Sequence, residues 1–143
     1  MSTAKRAAVP ASALARLRAV CLSLPAAREE AAWAGTRWRV GSKTFAHVLM
    51  VAEGWPPAYA RAAGTEGPCC VLTFRSPLPA LDVHAYTWAP FFRPAWWPDI
   101  VGMRLDLDGD GGVDWDEVEG LVTESYRLLA AEKWVRQMAP PAG

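Results

Sequence analysis

Apolar residues recur at three- and four-residue spacing between Ser12 and Leu24, where Leu14, Leu17, Cys21 and Leu24 share a stripe and Arg16 and Arg18 lie off it. That period predicts an amphipathic helix over 12–24, with Ser12 as N-cap and Pro25 after its end. The pattern then shortens to alternation. In residues 36–52, Arg37 and Arg39 alternate with Trp38 and Val40, Gly41-Ser42 supplies a turn, and a more apolar strand returns, which predicts a hairpin. Residues 69–75, "CCVLTFR", are apolar on both faces and predict a central strand.

Between these strands, residues 53–68 are rich in Pro and Gly and read as a loop with one helical turn. Residues 78–88 read as a short helix. Residues 89–99 hold three prolines and four large aromatics, and no regular element is expected there. Alternation resumes at 100–107, with Val101, Met103, Leu105 and Leu107 on one face, a strand pattern. From Trp115 to Met138 a helix is expected, its stripe formed by Val118, Leu121, Val122, Ser125, Leu128 and Leu129 with Tyr126 beside it. Together these elements predict one domain over 12–138, between flexible tails at 1–11 and 139–143.

Composition narrows the class. A chain that is 52% hydrophobic and 21% charged has the make-up of a globular domain. No apolar run approaches the roughly 18 residues of a membrane span. The basic pair Lys5-Arg6 is followed by no sustained apolar stretch, so a cytoplasmic protein without a signal peptide is expected. Formal net charge is zero, yet residues 1–75 carry ten Lys/Arg against four Asp/Glu, and residues 76–143 carry five against eleven. Only the first half can supply a basic face to nucleic acid.

The densest acidic stretch is "DLDGDGGVDWDE", residues 106–117, which has the spacing of an EF-hand calcium loop at Asp106, Asp108, Asp110, Gly111 and Glu117. Its entering element reads as a strand, however, and no second loop exists. Asp114 followed by Glu117 ahead of an apolar-periodic run is also a helix-start signature. A strand-to-helix turn is therefore the expectation, with calcium binding retained as a third reading.

His47 and His84 lack the partners of a zinc site, and three cysteines make no disulfide framework. Cys69 and Cys70 are expected as buried thiols on opposite faces of a strand. No phosphate loop or nucleophile elbow is present, so neither cofactor nor metal is expected, and the chain reads as a non-enzyme. Glu29-Glu30 read as solvated charges. The eight tryptophans are the more unusual feature. Trp55, Trp88, Phe92, Trp96 and Trp97 fall in loops or at element ends and form either a loop-covered core or the walls of a cleft for a planar aromatic molecule. Arg37, Arg39 and Lys43 form either a solvated strand face or a basic wing for phosphates.

The order of these features resembles the MmcQ/YjbR family. "LRAVCLSLPAAREEAAW" is similar to that family's opening helix with its C-x-x-L-P end, "RWRVGSKTFAHV" to its V-G-x-K-x-F-A strand, and "VDWDEV…SYRLLA" to its final helix. The resemblance spans Leu14 to Met138. It implies an α+β fold of double-wing, CyaY-like type, an antiparallel sheet with N- and C-terminal helices packed on it. It also implies DNA binding without catalytic residues. The segment "PAWWPDIVGM" departs from the family pattern, with Asp99 where many relatives carry a cation nearby. DNA through Arg37, Arg39 and Lys43 is the partner expected first. A planar aromatic molecule among Trp55, Trp88, Phe92, Trp96 and Trp97 is the alternative, and oligomeric state is left open.

Overall fold

The helical period at the start of the chain forms α1 (Ala11–Cys21). The computed structural model describes residues 8–77, 90–94, 98–105 and 113–138. The N-cap of α1 is Pro10, without a side-chain cap, and Ser12 is exposed one position inside the helix. Proline lacks only an N–H that a helix start leaves unpaired anyway, and its carbonyl takes the Leu14 amide at 3.0 Å. Ala13, Leu17 and Cys21, four apart, are buried on one side.

Strand β1 (Arg28–Ala31) has the sequence REEA, where the pattern had predicted only solvated charges. It pairs with β2 (Thr36–Val40), which turns at Gly41-Ser42 into β3 (Lys43–Val51). The tight turn from β1 to β2 is closed by the Ala32 amide on the Gly35 carbonyl at 3.0 Å. Gly35 has φ +76° and lies against the Val48 carbonyl and Leu49, leaving no room for a Cβ. A short helix, α2 (Pro57–Ala63), lies in the expected loop, and β4 (Cys69–Arg75) follows. Phe91 and Phe92 form a two-residue strand, β5, in a segment expected to be irregular. Its register runs against Met103 and Gly102 of β6 (Ile100–Arg104).

The expected C-terminal helix is divided. α3 (Trp115–Leu129) ends at an extended Ala130, and α4 (Glu132–Val135) follows. Neither Gly nor Pro marks this break in the sequence. The change of direction brings Trp134 and Met138 against the core. At the other end of α3 the expected cap is present: the Asp114 Oδ1 accepts from the Glu117 amide at 3.2 Å.

Among the described residues the strands form one antiparallel sheet in the order β1-β2-β3-β4-β6-β5. The architecture is α+β, with α1 and α3 packed on one face. That face holds the larger core, including Leu17, Trp38, Val48, Leu72, Val101, Val118, Val122 and Tyr126. The opposite face carries a smaller cluster, Leu49, Val51, Cys69 and Val71, covered by α2, Trp55, Tyr59 and Phe92. Cys70 points to the first core and Cys69 to the second, as alternation requires. Leu128, expected in the apolar stripe of α3, is exposed, whereas Tyr126 beside it is buried and donates to the Pro25 carbonyl at 2.5 Å.

Candidate functional site

Antiparallel pairing of β1 with β2 sets Arg28 opposite Arg39 and Glu30 opposite Arg37, so these four side chains share one face. Glu30 is the hub. Its Oε1 accepts from Arg37 Nε at 3.1 Å and Nη2 at 2.9 Å, and from Arg39 Nη1 at 3.4 Å, while Oε2 lies 3.6 Å from Arg28. The Arg37 hydrogen bonds hold the Glu30 carboxyl below its ordinary range. The same Arg28 nitrogen, Nη2, donates to the Gly41 carbonyl at 2.9 Å, and Arg39 donates from its other terminal nitrogen, Nη2, to the Ser42 carbonyl. Lys43 is exposed at the turn and makes no ion pair among the described residues. Three arginines around one carboxylate leave a formal balance of +2 on this face; Lys43 stands at the turn opposite Val40, whose side chain belongs to the helix-side core. Glu29 faces the other way, toward α1, and is neutralised by Arg18.

Beside this array a cleft of about 220 Å³ opens on the sheet face opposite α1 and α3. Among the residues lining it are Trp33 at the tip of the β1–β2 turn, Arg37, His47, Tyr59, Thr73 and Arg75. Trp33 is 65% exposed and meets Trp55 edge-on, with ring centroids 5.5 Å apart. The His47 ring is fixed at both nitrogens. Nε2–H donates to the Ala34 carbonyl at 2.6 Å, which leaves Nδ1 as acceptor for the Tyr59 hydroxyl at 3.4 Å. Burial lowers the His47 pKa, so the ring is neutral at pH 7. Arg75 is held by Asp99 at 2.6 Å.

The structure therefore brings Arg37 and Arg39 together, with Lys43 at the adjoining turn. Of the five predicted aromatic walls, Trp55 and Phe92 are described, and both belong to the smaller core cluster. The Phe92 ring occupies the space over Gly102 where a Cβ would stand. Trp88, Trp96 and Trp97 lie outside the described residues, as do His84 and residues 106–112 of the acidic loop. The sequence reading missed Trp33, Tyr59, Thr73 and Arg75, and considered His47 only as a zinc ligand, a role it set aside. Trp33 alone carried a signal, a large aromatic between alanines ahead of a turn glycine.

An antiparallel sheet with α1 and α3 on one face, and α2 beside an aromatic, arginine-edged cleft on the other, defines a small α+β domain. The chain belongs to the YjbR family: the model of that family, described as YjbR, matches residues 22–128, from the end of α1 through nearly all of α3. No curated protein matches the chain, and no solved structure matches it.

Proposed function

We propose that this protein is a non-enzymatic, nucleic-acid-binding member of the YjbR family, its β1–β2–β3 edge contacting the phosphate backbone. The observation that carries this reading is the gathering of Arg28, Arg37 and Arg39 on Glu30, with Lys43 adjoining. A carboxylate that accepts from several guanidiniums fixes their planes, so the remaining N–H groups meet a phosphate with little further ordering. A balance of +2 on this face, with Lys43 at the turn beside it, matches a modest number of phosphate contacts, in a chain whose total charge is zero. A binding role also agrees with the state of the nucleophiles. Burial raises the Cys21 and Cys70 thiols, leaving them protonated at neutral pH, and both bonds of the Ser125 hydroxyl are spent within the fold.

About three phosphate contacts give a salt slope near −2.7, so affinity for DNA should fall roughly forty-fold between 50 and 200 mM salt. Fluorescence anisotropy with labelled oligonucleotides measures this. Replacing Arg37, Arg39 and Lys43 with Gln should remove most of the binding and flatten the slope. Binding that ignores salt, or that survives the triple substitution in a folded protein, would exclude the phosphate role.

A second reading, a planar small molecule held in a cleft, is favoured by the exposed Trp33 beside the 220 Å³ space. Its walls differ from the expected set, since neither Trp55 nor Phe92 lines this cleft. Tryptophan quenching by such a molecule, insensitive to salt and lost in Trp33→Ala, is its signature.

A further inference from the structure

Arg37 belongs to two structures at once, the cation array on Glu30 and the lining of the cleft. A strand whose phosphate sits on the array therefore has the cleft next to it, within the reach of one nucleotide. The cleft is small, about 220 Å³ against the roughly 300–1,000 Å³ of pockets for drug-sized ligands. That space suits one planar ring system. Its floor is polar, with His47 and Thr73, and Trp33 offers an aromatic surface at its side. Every base has a π-face, so such a surface takes a base without demanding its identity.

On this geometry, and resting on the nucleic-acid reading above, we infer that the cleft accepts one unstacked base and that the protein selects single strands over duplexes. A duplex keeps its bases stacked and paired, and must break both to deliver one into a pocket. A single strand meets that cost only in part. The hairpin cations contact either form, because phosphates are common to both. Discrimination therefore comes from the cleft and affinity from the array. Arg37 serves each by fixing the phosphate at the cleft mouth.

Anisotropy at one fixed salt concentration, using a short oligo-dT strand, a duplex, and an abasic strand of equal length and charge, separates the two contributions. The single strand should bind at least tenfold tighter than either the duplex or the abasic strand. Trp33→Ala should weaken only the oligo-dT complex, by about 5- to 150-fold, the range expected for one stacked base. Trp33→Phe, which keeps an aromatic face, should restore most of the loss. Trp33 is largely exposed, so both variants should fold, and circular dichroism checks this. Equal affinity for all three nucleic acids, with Trp33→Ala silent, would overturn the base-binding cleft while leaving the phosphate array standing. Failure of every nucleic acid to bind would overturn both.

Discussion

Glu29 and Glu30 are chemically identical neighbours with unrelated tasks, because successive residues of a strand face opposite sides of a sheet. Glu30 organises the arginines of the cleft face. Glu29 lies on the helix side, where it accepts from Arg18 at 2.9 Å and from the indole N–H of fully buried Trp38 at 3.0 Å. Removing that acceptor strands a buried donor, at a cost of about 1–3 kcal/mol. Glu29→Ala should therefore destabilise the protein by that amount, and Glu29→Gln, which keeps an oxygen in reach, by less. Hydrogen bonding from Arg18, aided by Trp38, lowers the Glu29 pKa from its ordinary value of 4.5. The unfolded carboxyl takes up its proton first. The stabilisation is thus complete above about pH 4.5 and lost as pH falls through the lower folded value. Urea unfolding between pH 3 and 6 should show this loss, and Glu29→Gln should make it shallower. An unchanged slope in the variant would mean that Glu29 contributes nothing to acid stability.

At the level of elements, one hydroxyl adds two direct hydrogen bonds between α3 and the sheet to the apolar packing of Val118, Val122 and Tyr126. The β2–β3 register passes from Trp38↔Ala46 to Arg39↔Thr44, so Phe45 is an extra residue, and its ring packs edge-on against Tyr126. The regular β3–β4 pairing ends at Ala46↔Phe74. Where the next rung would join Arg75 to Phe45, the Ser125 Oγ stands between them. It accepts from the Arg75 amide at 2.8 Å and donates to the Phe45 carbonyl at 2.7 Å. A serine in the middle of a helix is usually neutral or mildly unfavourable. This one completes the sheet from outside. Ser125→Ala leaves both backbone groups without it, and should cost about 1–3 kcal/mol, seen by calorimetry as a fall in Tm of roughly 2–10 °C. A Tm within a degree of the parent would show that the two backbone groups find other partners.

For the whole molecule, the two sheet faces differ in how they are covered, and stability is divided between them. One face is sealed by α1 and α3 over the large core; the other has a short helix, a few aromatics and the cleft. β3 and β4 lie inside the sheet and are buried on both sides, whereas α4 has no buried residue. Opening α4 exposes little apolar surface and opening β3 exposes both cores. Hydrogen exchange should accordingly be slowest at the paired amides of β3 and β4 and fastest, among the regular elements, in α4. Comparable protection in α4 and β4 would contradict this division.

Periodicity alone was enough for α1, the β2–β3 hairpin, β4, β6 and the start of α3, because each buries a face whose spacing repeats along the chain. Family membership was also readable, from "CLSLP", "VGSKTFA" and "VDWDEV" in order. β1 was not, since "REEA" has no apolar rhythm; it is a strand because β2 offers an edge and Arg18, Arg37 and Arg39 compensate its acids. The cleft was equally hidden. Trp33, Arg37, His47, Tyr59, Thr73 and Arg75 come from a turn, three strands and a helix, and no sequence spacing relates them. Local patterns record which side of an element is buried. Which sides then face one another depends on strand order and register, and these are properties of the assembled sheet.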